Sequence, residues 1–345
     1  MSGMVHLTYE TLSNFALACF KTLGMRDNRA SEVVNIFLRA QWRDQKHHDF
    51  SLLPQRLGWL YENKVSRTAE PEMIFEDGGA AIFDGHNCLG EIGCSRALTK
   101  AIELAEEHTI GLASVRNTNH YLAGSPYSEI AGEKGMLALV VSSTDRTMAG
   151  PEGGRQIIGN NPLSFGAPLQ DRPFLLDICM AYASLGTLHR KKSVGEQFPE
   201  FFGFDGNGNP SGNPDQILNG GSLAPIAQHK GFGLALMVEI LTGGLNQGPM
   251  GLDIPTGGGI GGHSQTIFVI NFGRFPGADT FSDRFMDVIT RMNEVQGGIR
   301  YPGSRRTGWS DSNLPLACEV TVSTYVSLKW WAEKLGVEFP PAIDN

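Results

Sequence analysis

The chain has 345 residues, 41% of them hydrophobic, with 28 basic and 36 acidic side chains and a formal charge of −8. That length supports a large core and two lobes. The acidic balance, with no extended basic run, speaks against nucleic acid as a partner, and the apolar stretches are too short and too broken by glycine or charge to cross a bilayer.

The opening MSGMVHLTYE lacks a charged segment followed by an apolar one, so no secretory leader is expected. Residues 8–24 carry apolar side chains at helical spacing and stop at Gly24. Asp27 is placed to cap a second helix that runs to about Arg43. LLPQRLGWLYEN reads as a third helix with Pro54 in its first turn. Residues 73–85 read as a hairpin closed by glycines, GEIGCSRALTKAIELAEEH as a helix and GLASVRN as a strand. Then GSPYSEIAGEKG is helical, while MLALVVSS, NPLSFGAPL and PFLLDICM are strands. Residues 184–194 form a basic helix or turn, and 197–222 a long irregular stretch. HKGFGLALMVEILTGGL is an apolar helix, QTIFVINF a strand, FSDRFMDVITRMNEVQG a helix and VSLKWWAEKLGV the closing helix. Strands that follow one another directly give an α/β fold with a mixed sheet rather than a purely parallel one, helices lying on its faces. Five widely spaced cysteines (Cys19, Cys88, Cys94, Cys179, Cys318) without a C-x-x-C pair read as reduced thiols of a cytoplasmic protein.

Residues 257–262, GGGIGG, match the dinucleotide pattern G-x-G-x-x-G letter for letter. That pattern works between a strand and a helix, whereas this run precedes a strand, so it reads as a mobile loop or lid. His120 falls on a strand-to-helix loop, where it either meets a ligand or, with Asn117 and Asn119, satisfies a turn and caps a helix. His229 and Lys230 open an apolar helix; a bound anion would offset their conflict with the helix dipole, and Gly231 and Gly233 clear space for one. Asp177 is the lone charge in PFLLDICM and either pairs with a histidine or caps a nearby turn. His47 and His48, in RDQKHHD, lie where the second helix ends. Neighbouring side chains diverge on a helix or strand, so at most one of the two is expected to face a given site. Metal-ligand spacing is missing, as is the hydrolase pattern G-x-S-x-G.

Taken in order, VRNTNHYLAGSPYSEIAGEKGM, PEGGRQIIGNNPLSFGAP, PFLLDICM, FDGNGNPSGNP, QHKGFGLALMVEIL and RYPGSRR resemble the malate/L-lactate dehydrogenase family that lies outside the Rossmann lineage. That family includes ureidoglycolate and sulfolactate dehydrogenases, a cyclic-imine carboxylate reductase and 2,3-diketo-L-gulonate reductase. The resemblance runs from about residue 8 to the last helix. It implies a non-Rossmann cofactor fold at residues 116–274, and a helical domain made of 1–115 with 275–345 that carries the catalytic histidine. It implies a homodimer that binds NAD or NADP and a small-molecule substrate. His48 matches the family's proton donor and acceptor, with His47 and Asp49 replacing the flanking serine and glycine. His120 matches a second histidine near the substrate, and Asp177 is the candidate partner for the His48 charge. Cofactor contacts are implied at Ser143, Thr144 and Asp145, at Asn160, Asn161 and Pro162, at His229 and Lys230, and at Gly303, Ser304 and Arg305. Arg146 and Arg155 are candidates for a 2'-phosphate.

The chain departs from the family where substrate arginines usually stand: Ser51, Leu52 and Gln55 occupy those places, with Arg56 one position on, and Glu152 replaces a tryptophan. An apolar leucine cannot replace a bidentate guanidinium. The departures imply a substrate without the usual carboxylate, one held by Arg56 or Arg116, or loss of activity. The expected function is NAD(P)H-dependent reduction of a 2-oxo acid or diketo sugar acid. The alternatives are reduction of a cyclic or N-alkyl imine and non-catalytic metabolite binding.

Overall fold

The structure is a computed structural model that describes residues 3–45, 47–199, 201–256, 258–310 and 317–343. The chain opens with strand β1 (Met4–Leu7) and helix α1 (Tyr9–Thr22), whose Thr8 cap accepts from Thr11 N–H at 3.0 Å. Leu12, Phe15, Ala16, Cys19 and Phe20 form the buried stripe of α1, the spacing that marked it as a helix. Helix α2 (Asp27–Trp42) begins one residue earlier than a cap at Asp27 would require. Arg26 is the capping position, without a side-chain bond, and Asp27 sits in the first turn, where its charge suits the helix dipole. Helix α3 (Leu53–Tyr61) has its proline in the first turn, as expected.

Strands β2 (Glu72–Asp77) and β3 (Ala80–Asp84) form the antiparallel hairpin, followed by α4 (Gly90–His108), β4 (Ile110–Thr118), α5 (Ser125–Glu133) and β5 (Leu137–Ser142). Next come β6 (Arg146–Gly150), β7 (Gly153–Gly159), β8 (Leu163–Ala167), β9 (Phe174–Ile178) and α6 (Leu185–Ser193). The irregular stretch holds three two-residue strands, β10 (Gly203–Phe204), β11 (Pro210–Ser211) and β12 (Ser222–Leu223), and a short helix, α7 (Pro214–Leu218). Helix α8 (His229–Glu239) runs on into a π-type turn at Ile240–Gly244. Strand β13 (His263–Ile270), α9 (Phe281–Val295), β14 (Cys318–Thr321) and α10 (Val322–Leu335) complete the chain.

The main sheet has the order β2-β3-β4-β13-β5-β8-β9. Only the β3–β4 pairing within it is parallel, so the sheet is mixed. Its core joins the N-terminal helices, α4 and α10 through residues such as Phe37, Phe50, Leu57, Phe83 and Leu328. A second sheet, β11-β10-β12-β6-β7, carries a smaller core around Met148, Ile158, Met180, Leu188 and Leu223. The division expected at residues 115/116 falls inside β4, and the main sheet takes strands from both sides of it. Among the described residues, no helix is long and apolar enough to cross a membrane.

Candidate active site

A cavity of about 810 Å³ is lined by residues that border both cores, within the range of small-molecule and cofactor sites. Its first wall is the turn after α2. Arg39 and Arg43, late in α2 and at its C-cap, form ion pairs with Glu129 and Glu133 of α5, which fixes where α2 ends. His47 then takes a positive φ of 77°. Asp49 accepts from Ser51 N–H at 2.9 Å and caps a 3-10 turn at Phe50–Leu52. Phe50 is wholly buried, which anchors the turn by about 2–3 kcal/mol.

His47 and His48 both line the cavity. The expectation that at most one would do so fails because this segment is neither helix nor strand, and the left-handed residue breaks the divergence of neighbouring side chains. Gly186 accommodates the pair: a β-carbon there would lie 2.4 Å from His47 Cβ.

His120 stands opposite, on the loop between β4 and α5, with its ring centroid 5.4 Å from that of His48. Its Nδ1 accepts from the Arg56 guanidinium at 2.9 Å and from Leu122 N–H at 3.2 Å. Both partners are donors only, so the ring is neutral and carries its proton on Nε2. Burial, then Arg56, His48 and His263, hold its pKa well below the ordinary histidine value. The ring nitrogens of His48 make no hydrogen bond to the described residues. Burial, then His47 and Arg56, push its pKa down to about 4.

Asp177 lines the same cavity, but its described partner is the N-terminus of α5: Oδ2 accepts from Ser125 N–H at 2.8 Å. Burial raises its pKa to about 6 against those donors, and no described hydrogen bond joins it to a histidine. A histidine–carboxylate pair does exist, between residues the sequence did not bring together. His263 Nε2 donates to Asp145 Oδ1 at 2.6 Å, and both line the cavity. The signal available was a histidine directly behind the glycine run and at the head of a strand. The described part of that run, which excludes Gly257, is tied to the site: Gly259 N–H donates to Asp145, Gly259 C=O accepts from His120 N–H, and Gly261 N–H donates to Asn119. It leads into β13 rather than into a helix, so it is no Rossmann turn.

The two candidate substrate arginines do not line the cavity. Arg116 donates to Asp84 at 3.1 Å and to Asn246 C=O at 3.0 Å. Arg56 is fully buried, with Nε on Glu91 at 2.8 Å and the ring of Trp59 beneath it at 4.5 Å. Among the described residues no arginine or lysine lines the cavity; Lys46 lies outside them.

Of the expected cofactor contacts, Thr144, Asp145, Asn160 and Pro162 line the cavity. Ser143 and Asn161 are buried behind it and brace it, Ser143 on Ser264 and Asn161 on Thr144 N–H, Ala235 C=O and Glu239. His229 and Lys230 are exposed in the first turn of α8. The N–H groups of Lys230, Gly231 and Phe232 already bond to Ala227, Ile226 and Gln228. This helix start therefore offers charge more than free backbone donors. Gly231 serves that tight lead-in, since a β-carbon would lie 2.3 Å from Ile226 C=O, while Gly233 faces open space. Gly303, Ser304 and Arg305 lie beside the start of β9; Gly303 abuts Pro173, and Ser304 C=O accepts from Arg172. Arg146 Nε is engaged by Ile254 C=O, and Arg155 is exposed.

A family model described as malate/L-lactate dehydrogenase matches residues 7–329. The chain belongs to that family. It is accordingly an oxidoreductase acting on CH–OH and C=O groups. Curated relatives include a malate dehydrogenase of Pyrococcus abyssi, 28% identical over 88% of this chain and 85% of its own length. A delta(1)-pyrroline-2-carboxylate/delta(1)-piperideine-2-carboxylate reductase of Pseudomonas putida is 29% identical over 88% of this chain and 90% of its own. A 2,3-diketo-L-gulonate reductase of Salmonella typhimurium is 27% identical over 89% and 94%. The malate dehydrogenase structure from Entamoeba histolytica superposes with a TM-score of 0.88 over 98% of this chain and 100% of that one, at 19% identity, which establishes the shared fold. Within this family member, the histidine-bearing turn and the strand ends at Thr144 and Asn160 face one cavity.

Proposed function

We propose that this chain is an NAD(P)H-dependent reductase of a 2-oxo acid or diketo sugar acid, with His48 as the proton donor. The observation that carries the reading is the pairing of His48 and His120, which face one another across a single cavity. His120, neutral and protonated on Nε2, donates to the substrate carbonyl oxygen. His48 exchanges the proton that converts alkoxide to alcohol, and takes it back in the oxidation direction. Bound reduced nicotinamide supplies the hydride. The residues present suit such a cofactor: the cavity is large enough, the strand ends at Thr144, Asn160 and Pro162 line it, and Lys230 offers a cation at the start of α8. NAD and NADP both fit this description.

His48 titrates near pH 4, so a neutral ring meets the substrate at pH 7. This favours a second reading, reduction of a cyclic or N-alkyl imine, because a protonated imine brings its own proton. Self-association belongs to the same proposal and is supported by the exposed Leu234, Leu236 and Ile240 of α8 and its following turn. The five free thiols fit a cytoplasmic setting. The test is oxidation of NADH and NADPH with panels of 2-oxo acids, diketo sugar acids and cyclic imines. Turnover with the first two panels supports the main reading, and turnover with imines alone selects the second. Cofactor binding with no oxidation by any panel refutes both in favour of a metabolite-binding protein.

A further inference from the structure

Two imidazoles with ring centroids 5.4 Å apart begin as chemically equivalent groups, and a site that moves one proton needs them to differ. The difference enters from one side. Arg56 donates from Nη2 to His120 Nδ1 at 2.9 Å and to His120 C=O at 3.1 Å, whereas the ring nitrogens of His48 meet no described donor. Glu91 of α4 holds Arg56 through Nε at 2.8 Å, Gln55 takes Nη1 at 2.7 Å, and both ionic partners are fully buried. A buried ion pair of this kind is a poor choice for stability alone, since apolar side chains of similar volume do as well or better. Its geometry has another use. The groups facing His120 are Arg56 from α3, with Glu91 behind it, His48 from the turn after α2, Tyr121 beside it, and His263 from β13 on its Asp145 partner. No carboxylate touches the ring among the described residues, so nothing there favours a second proton.

We infer that Arg56, anchored by Glu91, is a positioning residue that fixes His120 as a neutral Nε2–H donor and leaves His48 as the one imidazole of the pair free to exchange a proton with the ligand. The role in catalysis rests on the reductase reading; the role in fixing the tautomer does not.

The experiment is nitrogen-15 NMR of the histidine rings in the full-length protein, with steady-state kinetics of Arg56→Met and Arg56→Lys. In the parent protein His120 shows the Nε2–H form and takes no proton across the range in which an ordinary histidine titrates. In Arg56→Met both tautomers appear and the ring binds a proton more readily, burial continuing to hold its pKa down. Turnover falls roughly 100-fold with KM changed less than about threefold, and the kcat/KM profile gains an ionisation. Arg56→Lys, which keeps a cationic donor, restores the tautomer and part of kcat. If Arg56→Met does not fold, Glu91→Gln, which loosens the anchor, is expected to move the same signals in the same direction. A His120 ring that keeps the Nε2–H form and binds a proton no more readily in Arg56→Met and Glu91→Gln overturns the inference. Because the NMR readout needs no substrate, a changed tautomer in a protein that reduces nothing retains the positioning role and refutes the reductase reading; the opposite pattern does the reverse.

Discussion

His48 ties stability and rate to the same proton. In the unfolded chain its ring titrates near the ordinary value of 6.5, and in the folded protein near 4. Between those values the unfolded state binds the proton and the folded state does not. Stability is therefore complete above pH 6.5 and falls as the pH drops toward 4, after which the loss is constant. At about 1.4 kcal/mol per pH unit, the gap amounts to about 3 kcal/mol. His48→Gln removes this contribution while other groups continue to titrate, so the quantity to measure is the parent-minus-variant difference in unfolding free energy. Urea titrations at intervals from pH 4 to pH 7 should show that difference changing by about 3 kcal/mol, with the parent losing more on the acid side. The kinetic counterpart is an asymmetry of direction. At pH 7 about one free enzyme molecule in a thousand carries the proton on His48. Oxidation, which needs the neutral base, should show a level kcat/KM from about pH 5 to 8, while carbonyl reduction should fall about tenfold per pH unit over the same range. His48→Gln should abolish turnover while sparing cofactor binding. A stability difference that stays flat from pH 4 to 7, or a reduction rate level up to pH 7, would refute the reasoning.

Asp177→Asn keeps an oxygen to accept from Ser125 N–H but removes a carboxyl whose folded pKa is raised from 3.8 to about 6. For an acid raised in the folded state, the penalty grows as the pH climbs through that window, so the variant should be the more stable protein at pH 8 by about 3 kcal/mol and nearly equal at pH 4. Denaturant midpoints at the two pH values check this, and an equal loss at both contradicts it. Arg116→Ala should leave KM within about twofold, because the side chain is engaged by Asp84 and Asn246 away from the cavity, and should cost about 1 kcal/mol of stability. A tenfold rise in KM without unfolding would return Arg116 to the substrate.

The elements legible in the sequence were those whose side chains carry a period: the stripe of α1, the glycine-closed hairpin β2–β3 and the apolar strands of the main sheet. The β1–β14 pairing was invisible because four-residue strands more than 300 positions apart share no local signal. The site divides the same way. The loop position of His120 could be read from its neighbours, whereas the joint exposure of His47 and His48 depends on one left-handed residue. The partners of Arg56 and of Asp145 were beyond reach. A guanidinium's target is set by tertiary packing, and Glu91 and His120 lie 35 and 64 residues away.

Strand β13 sits between β4 and β5 and is antiparallel to both, although about 120 residues separate it in sequence from the nearer of them. A nascent chain leaving the ribosome therefore presents two strands with an empty lane between them until residue 270 has emerged. Long-range closure of that kind is slow and leaves unpaired edges open to other chains. The protein should accordingly be most dependent on chaperones midway through its synthesis, and truncations ending before the glycine run should aggregate rather than fold as a smaller unit.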